Sequence, residues 1–110
     1  MGKFVISKRK NGEFQFNLNA SNGQTILSSE GYVAKSSCEN GIESVRKNSQ
    51  DDSKYEKKTS TNGKAYFNLK ATNGQIIGSS QMYESESSRD NGIASVKTNA
   101  PDASIDDQTL

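Results

Sequence analysis

The stretch Phe16-Asn17-Leu18-Asn19-Ala20-Ser21-Asn22-Gly23-Gln24-Thr25-Ile26 decides the fold, because it returns 51 residues later as Phe67-Asn68-Leu69-Lys70-Ala71-Thr72-Asn73-Gly74-Gln75-Ile76-Ile77. The same offset places Ser28-Ser29 on Ser79-Ser80, Tyr32 on Tyr83, and Asn40-Gly41-Ile42 on Asn91-Gly92-Ile93. The 110-residue chain is therefore one motif written twice, with the first copy at about 3–52 and the second at about 53–107.

The size of each copy predicts how the two are arranged. A domain of about 50 residues that folds alone is only marginally stable, because it buries little surface. Hydrophobic residues make up only 30% of the chain, so the core is expected to be thin. We therefore expect the copies to share one core, as a single pseudo-two-fold domain over residues 1–110.

The first copy begins with the pattern of a three-stranded antiparallel meander. The expected strands cover residues 3–9, 13–20 and about 24–29, and they are separated by two Asn-Gly pairs that favour tight hairpin turns. Apolar residues alternate with polar ones in the middle strand. This alternation predicts one sheet face packed on the core, the dry face, and one exposed to solvent, the wet face. The residues expected on the dry face are Phe14, Phe16, Leu18 and Ala20.

The hydrophobic period then changes from that of a strand to that of a helix. Cys38, Ile42 and Val45 are spaced as one stripe of a helix. Ser36 stands three residues before Glu39, as in a capping box, which would start the helix at that serine. Gly41 lies inside the helix, where glycine is unfavourable, so we expect close packing of the helix on the sheet.

The second copy repeats this order with some changes. After a connector at 49–53, residues 54–60 form a lysine-rich strand that suits an exposed sheet edge. Ala65, Phe67, Leu69 and Ala71 repeat the dry face. A second helix is expected from about 87 to 98, with Ser87 as its cap and Arg89 in the place of Cys38, followed by a short strand at about 103–107.

The segments Asn73-Gly74-Gln75-Ile76-Ile77-Gly78-Ser79-Ser80-Gln81-Met82-Tyr83 and Gly92-Ile93-Ala94-Ser95-Val96-Lys97, with their first-copy counterparts, resemble the YegP family of bacterial proteins. The resemblance covers nearly the whole chain and weakens in the tail. It implies an α+β fold, a tandem repeat of a β-β-β-α-β unit. The copies would form one antiparallel sheet by exchanging their last strands, at 54–60 and about 103–107, with two helices packed on it. It supplies no catalytic residues.

The composition argues against an enzyme, a metal or a cofactor. Without histidine the chain has no Ser-His or Cys-His pair, and its single cysteine is too little for a zinc site. The glycines stand mostly in Asn-Gly turns and not in phosphate-binding loops. Cys38 could be a reactive thiol near a helix start, but its position on the apolar stripe favours a buried structural thiol.

The charge pattern and the start of the chain give expectations about location. The formal net charge is only +1, so the chain lacks the basic character typical of nucleic-acid binding domains. The chain begins without a signal-peptide pattern, and no stretch is long and apolar enough to span a membrane. We expect a cytoplasmic protein that does not associate with membranes.

Two polar sets are candidate binding sites. The first set lies at the strand-to-helix loops and consists of Ser28-Ser29, Ser79-Ser80, Tyr32 and Tyr83. Helix N-termini at these loops could bind anions. Alternatively, the serines only form hydrogen bonds with the loop backbone and the tyrosines only anchor the loops on the core. The second set lies on the wet face, which could hold single-stranded nucleic acid or could be solvated surface. Its members, on what we expect to be neighbouring strands, are Gln15, Asn17, Asn19, Tyr66, Asn68 and Lys70.

The leading hypothesis for function is a small non-catalytic binding or interaction module of unknown ligand; a protein that docks on an exposed sheet edge is one partner it could take. One alternative is a weak binder of single-stranded nucleic acid that uses the wet face. A second is an enzyme that uses Cys38 or a serine. The internal repeat favours a monomer, while exchange of strands between chains would give a dimer. No binding residue is assigned by the sequence.

Overall fold

The four repeated Asn-Gly pairs form the tight turns that connect the strands of both copies. The computed structural model describes residues 2–110. In it the glycines at 12, 23, 63 and 74 all have φ between 84° and 87°, the left-handed region that glycine adopts at little cost. Gly12 N donates to Arg9 O and Gly23 N donates to Ala20 O, at 3.0 and 2.9 Å, which closes the first two turns.

Residues 2–110 contain seven strands and two α-helices. The first copy contains β1 at Lys3–Lys8, β2 at Phe14–Asn19, β3 at Thr25–Ser28 and α1 at Lys35–Asn48. A 3-10 turn at Asp52–Lys54 leads into the second copy. That copy contains β4 at Tyr55–Thr59, β5 at Ala65–Lys70, β6 at Ile76–Ser79, α2 at Glu86–Asn99 and β7 at Ser104–Asp107.

All seven strands form one sheet in the order β4-β5-β6-β3-β2-β1-β7. The strand after α1, β4, pairs with β5 of the second copy, and the strand after α2, β7, pairs with β1 of the first. The α+β class and the exchange of the last strands are therefore confirmed. The sheet is mixed rather than wholly antiparallel, because β7 runs parallel to β1 after crossing over through α2.

One hydrophobic core contains residues from both copies. Phe4, Phe16 and Phe67 are fully buried, and the rings of Phe4 and Phe16 meet edge to face with centroids 5.8 Å apart. Helix α1 contacts β2, β5 and β6, while α2 contacts β5 and β3, so each helix packs over strands of both copies. This arrangement is what a shared core requires. The prediction that the chain behaves as a single domain remains to be tested by its unfolding.

The helix starts differ from the sequence prediction. Helix α1 begins at Lys35 with Ala34 at the N-cap, and no side chain caps it, so the Ser36 capping box is wrong. Helix α2 begins at Glu86, and its cap is Ser85 rather than Ser87; the Ser85 hydroxyl accepts a bond from Ser88 N at 3.1 Å. In both copies the extended chain from the preceding loop turns into the helix one or more residues earlier than the serine pattern indicated.

The missing cap of α1 provides a first prediction. Ala34→Ser should stabilise the protein by about 1 kcal/mol, because the backbone of Ala34 already has the extended conformation of an N-cap and its counterpart Ser85 shows the bond that forms. The matched control is Ser85→Ala, which should destabilise by a similar amount. Chemical denaturation followed by circular dichroism measures both. Equal stability of Ala34→Ser and wild type would contradict the prediction.

Candidate functional site

The repeated serines hold the backbone of the strand-to-helix loops. Ser29 N donates to Phe16 O at 2.9 Å, and its hydroxyl accepts from Phe16 N at 2.9 Å and donates to Glu30 O at 2.8 Å. Ser80 makes the same three bonds in the second copy, to Phe67 and Gln81. Both serines are buried. Their bonds support the structural interpretation of this pair; the anion-binding hypothesis for the loops remains a prediction.

The repeated tyrosines fasten the same loops against the helices. Tyr32 pairs with Phe14 through two backbone bonds of 2.7 Å and stacks on the Phe16 ring, with centroids 6.3 Å apart. A Cβ placed on Gly41 would lie 2.5 Å from Tyr32 Oη. Tyr83 contacts Gly92 in the same way. The close packing predicted at both helix glycines is confirmed. The nearest atoms belong to the tyrosines, and Phe16 Cε2 also lies 3.0 Å from the Cβ position of Gly41.

The wet face of the sheet carries a row of residues that crosses all seven strands. Register places them side by side in the order Glu56, Asn68, Ser79, Ser28, Asn17, Val5 and Asp106. In the second copy the polar groups bind one another: Ser79 Oγ donates to Asn68 Oδ1 at 2.7 Å, and Asn68 Nδ2 donates to Glu56 Oε1 at 3.3 Å. Lys70 Nζ lies 3.1 Å from Glu56 Oε2. These four polar side chains of the second copy therefore bind one another.

The six residues predicted as a nucleic-acid platform do not form one cluster. Gln15, Asn17 and Asn19 lie on β2, while Tyr66, Asn68 and Lys70 lie on β5. The prediction that these strands are neighbours is wrong, because β3 and β6 lie between them. At about 4.8 Å per strand, the two sets are about 14 Å apart. The copies meet through β3 and β6, a pairing that no pattern in the sequence predicted.

The two first strands of the copies differ in what covers their outer edges. In the first copy β7 runs beside β1, and Ser104 N donates to Gly2 O at 3.2 Å while Gln108 N donates to Ile6 O at 2.9 Å. In the second copy β4 is the outermost strand. Residues 49–53 lead directly from α1 into β4, so within residues 2–110 no strand is left to cover it. The predicted edge position of residues 54–60 is confirmed.

A surface cavity of about 420 Å³ lies along the uncovered side of β4, between this strand and α2. We call it the β4 groove; Tyr55, Lys57, Asp90, Ile93, Ala94 and Lys97 line it. Its lining combines Tyr55, Ile93 and Ala94 with two ion pairs: Lys57 Nζ lies 3.3 Å from Asp90 Oδ1, and Lys97 pairs with Asp52. Sequence reasoning missed this groove. The one available signal was Lys57 standing where the first copy has the core residue Ile6.

Cys38 is fully buried on the core side of α1. Burial raises the pKa of its thiol to about 11, and the nearby carboxylates of Glu39 and Asp107 act in the same direction. The thiolate is the nucleophilic form, and at neutral pH almost none is present. The environment of this residue supports the structural interpretation and disfavours a thiol nucleophile.

An ion pair fastens β7 to α1 and makes the attachment sensitive to acid. Asp107 pairs with Lys35 and accepts bonds from Thr109 Oγ1 at 2.6 Å and Thr109 N at 2.9 Å. The hydrogen bond from Lys35, followed by those from Thr109, lowers the pKa of Asp107 from 3.8 to about 2. A lowered pKa means that the folded state favours the carboxylate, so this contribution is present above about pH 4 and is lost as the pH falls towards 2.

We expect the backbone amides of Ser104–Asp107 to lose protection from hydrogen exchange between about pH 4 and pH 2, before the central strands do. NMR exchange measurements at several pH values test this, after correction for the intrinsic pH dependence of exchange. Asp107→Asn, which keeps the shape but removes the charge, should show weakened protection of β7 already at pH 6. Identical protection in this variant and in wild type at pH 6 would contradict the assigned role of the pair.

The duplicated α+β fold with exchanged strands defines the class of protein to which the chain belongs. The family model described as "Domain of unknown function (DUF1508)" matches residues 10–56 and 60–107, once for each copy, and the chain belongs to this family. It is 56% identical to UPF0339 protein YegP of Escherichia coli K12 over 98% of each chain. It is also 59% identical, over 94% of each chain, to a UPF0339 protein in the ptx operon 5′ region of Stutzerimonas stutzeri.

Solved structures agree with the fold. The solution NMR structure of YegP from E. coli, titled a protein of unknown function, superposes with a TM-score of 0.93 at 56% identity and covers 97% of this chain and 92% of its own. That of a UPF0339 protein from Shewanella oneidensis has a TM-score of 0.91 at 52% identity, covering 96% and 90%. The predicted family resemblance is confirmed.

Two further findings concern residues 2–110. In this range no helix is long and apolar enough to cross a membrane. Nor does the described part of the chain bring together three or more His, Cys, Asp or Glu side chains in an arrangement that could hold a metal ion.

Proposed function

We propose that the protein is a non-catalytic interaction module that binds an extended polypeptide segment at the outer edge of β4. The observation that carries this proposal is the difference between the two copies: the edge of β1 is covered by β7, and the equivalent edge of β4 is uncovered. A strand edge presents a row of backbone donors and acceptors that another strand can pair with. The adjacent β4 groove offers apolar surface for side chains of such a segment.

The backbone groups at this edge can be identified from the first copy. Gly2 and Ile6 direct their carbonyl groups towards β7. The counterpart of Ile6 is Lys57, so the backbone groups of Lys57 point outward, away from β5. A proline at this position therefore removes an outward N–H without removing a bond to β5.

The test compares Lys57→Pro with Lys57→Ala. The full-length protein and both variants are screened against a displayed library of unstructured decapeptides, and binding of the selected peptides is mapped by amide NMR. Wild type and Lys57→Ala should bind peptides that Lys57→Pro does not bind, with shifts at Tyr55–Thr59. Peptides that bind all three forms equally, or a failure to select any peptide, would overturn the proposal.

The alternative of single-stranded nucleic acid on the wet face has weaker support. Its candidate residues lie on separated strands, and Lys70 is engaged by Glu56. Arg9, another cation near this face, donates to Gln15 Oε1 at 2.6 Å. An NMR titration with mixed-sequence single-stranded DNA and RNA discriminates the two hypotheses. Shifts at residues 15–19 and 66–70 that fade with salt would favour nucleic acid.

A further inference from the structure

We infer that the segment bound at β4 is an acidic extended peptide that runs parallel to this strand. The inference rests on the proposed function and gives it a direction and a chemistry. The direction comes from the first copy, where β7 already fills the equivalent position beside β1, and the chemistry comes from the lysines beside β4.

The direction of the peptide follows from the pairing of β7 with β1. β7 lies parallel to β1, with Ser104 opposite Lys3 and Asp107 opposite Ile6. The two copies of the motif present the same backbone at these edges, since the counterpart of β1 in the repeat is residues 54–59. A peptide in the same register places its first residue opposite Lys54 and its second opposite Tyr55.

The β4 groove is the counterpart of the surface that β7 covers. Three first-copy residues meet β7 or the residue before it: Phe4 is opposite Ile105, Ile6 is opposite Asp107, and Arg46 donates to Ala103 O at 2.6 Å. Their counterparts are Tyr55, Lys57 and Lys97. All three line the β4 groove. A side chain on the groove-facing second position of the peptide would therefore lie against Tyr55, where an apolar residue fits.

The charges along β4 indicate that the occupant is acidic. Among residues 2–110, Lys57 and Lys97 are already held by Asp90 and Asp52. Lys54 and Lys58 make no ion pair within that range, and they flank the edge four residues apart. β7 is itself acidic, but its Asp106 and Asp107 lie at the third and fourth positions, and Lys35, which pairs with Asp107, has Glu86 as its counterpart in the second copy. The acidic positions of the peptide therefore follow from Lys54 and Lys58. Acidic residues at the first and fifth positions of a parallel peptide would lie opposite Lys54 and Lys58.

These positions define a peptide of the pattern acidic–apolar–any–any–acidic. The probe is Asp-Ile-Ser-Thr-Asp between Gly-Ser flanks, titrated into the isotope-labelled full-length protein. Two control peptides have the same length: Lys-Ile-Ser-Thr-Lys reverses the charges, and Asp-Ile-Pro-Thr-Asp removes the central backbone donor. We expect the acidic peptide to bind about tenfold more tightly than the basic one at low salt, with a difference that shrinks as salt is added. The proline peptide should not bind.

Variants and a spin label complete the test. In the double variant Lys54→Glu and Lys58→Glu, the preference should reverse, so that the basic peptide binds more tightly. A nitroxide on the peptide N-terminus should broaden the amides near Tyr55 more than those near Thr59 if the peptide is parallel. Both lysine positions are at the surface, and circular dichroism checks that the variant folds.

The outcomes separate this inference from the proposed function. Equal binding of acidic and basic peptides at β4, or broadening near Thr59 instead of Tyr55, overturns the acidic parallel peptide and leaves an interaction module at this edge. Absence of binding by every peptide, in this titration and in the decapeptide screen, overturns both. Self-association of the protein through β4 in analytical ultracentrifugation would make a second copy the occupant and overturn the inference.

Discussion

Leu27→Gly and Gly78→Leu should each destabilise the protein severely, and combining them should restore much of the lost stability. These residues are counterparts in the repeat, and they meet where β3 pairs with β6. Leu27 is 1% exposed, and a Cβ on Gly78 would lie 2.7 Å from Leu27 Cγ. One leucine side chain therefore fills the space that two symmetric side chains would need. The repeat is broken at this position because both cannot fit.

The expected magnitudes follow from packing. Leu27→Gly removes a buried side chain, which costs about 3–5 kcal/mol, and Gly78→Leu overpacks the seam by about 1–3 kcal/mol or more. The double variant keeps the total volume, so its free energy of unfolding should exceed the additive expectation by about 2 kcal/mol or more. Urea unfolding followed by circular dichroism measures this. The control Thr25→Gly reports the cost of glycine at an exposed position of the same strand.

If the double variant is as unstable as the sum of the single changes, the two residues do not share one space, and the packing at the seam is wrong. Either single variant could fail to fold, since whole domains are stable by only about 5–15 kcal/mol. In that case the amide NMR spectrum of the double variant is compared with that of the single variants. A well-dispersed spectrum shows that the double variant folds, as the shared space predicts.

Gly41→Ala should destabilise the protein by about 1–2 kcal/mol, although alanine is the better helix former by about 1 kcal/mol at an exposed site. The added Cβ would lie 2.5 Å from Tyr32 Oη and 3.0 Å from Phe16 Cε2. Tyr32→Phe removes the nearest of these atoms, so it should recover part of the loss in the double variant. A thermal unfolding series of the four proteins measures the coupling.

The equivalent glycine of the second copy, Gly92, is packed more tightly against its tyrosine than Gly41 is. A Cβ on Gly92 would lie 2.7 Å from Tyr83 Cζ, closer than the 3.0 Å from Gly41 to Tyr32 Cζ. The ring itself, and not only its hydroxyl, therefore obstructs the new atom. Gly92→Ala should be rescued less well by Tyr83→Phe than Gly41→Ala is by Tyr32→Phe. A gain in stability from either alanine would show that the tyrosines move away at little cost.

Much of the fold could be predicted from local patterns. The alternation through Phe14, Phe16 and Leu18 places one face of β2 in the core, and the Asn-Gly pairs place the hairpin turns, because both depend only on residues near in sequence. Helix starts were less predictable. Serines lie close to each helix start, yet the N-cap of α1 is Ala34 and that of α2 is Ser85, because the start of each helix depends on where the loop leaves Tyr32 or Tyr83.

The candidate site was less predictable than the fold. The lysines of residues 54–60 indicated an edge strand, and this is where β4 lies. The groove beside it depends on α2 and β4 approaching each other from positions more than 30 residues apart. The polar side chains of β2 and β5 were assigned to one sheet face, although Asn68 is buried there by its neighbours. The two halves of this face were nevertheless placed side by side, although β3 and β6 separate them.

The sequence by itself determined the duplication, the dry and wet faces of β1, β2 and β5, the turns, and the close approach at both helix glycines. These features repeat with the offset of the two copies, or follow from periods of two and 3.6 residues. The tertiary structure alone decided that β3 meets β6, that Leu27 fills the space beside Gly78, and that β7 covers β1 while β4 stays uncovered. The physical reason is that two similar copies joined in one chain are not equivalent. The residues after α1 form β4, the first strand of the second copy, whereas those after α2 form β7, which adds beside β1.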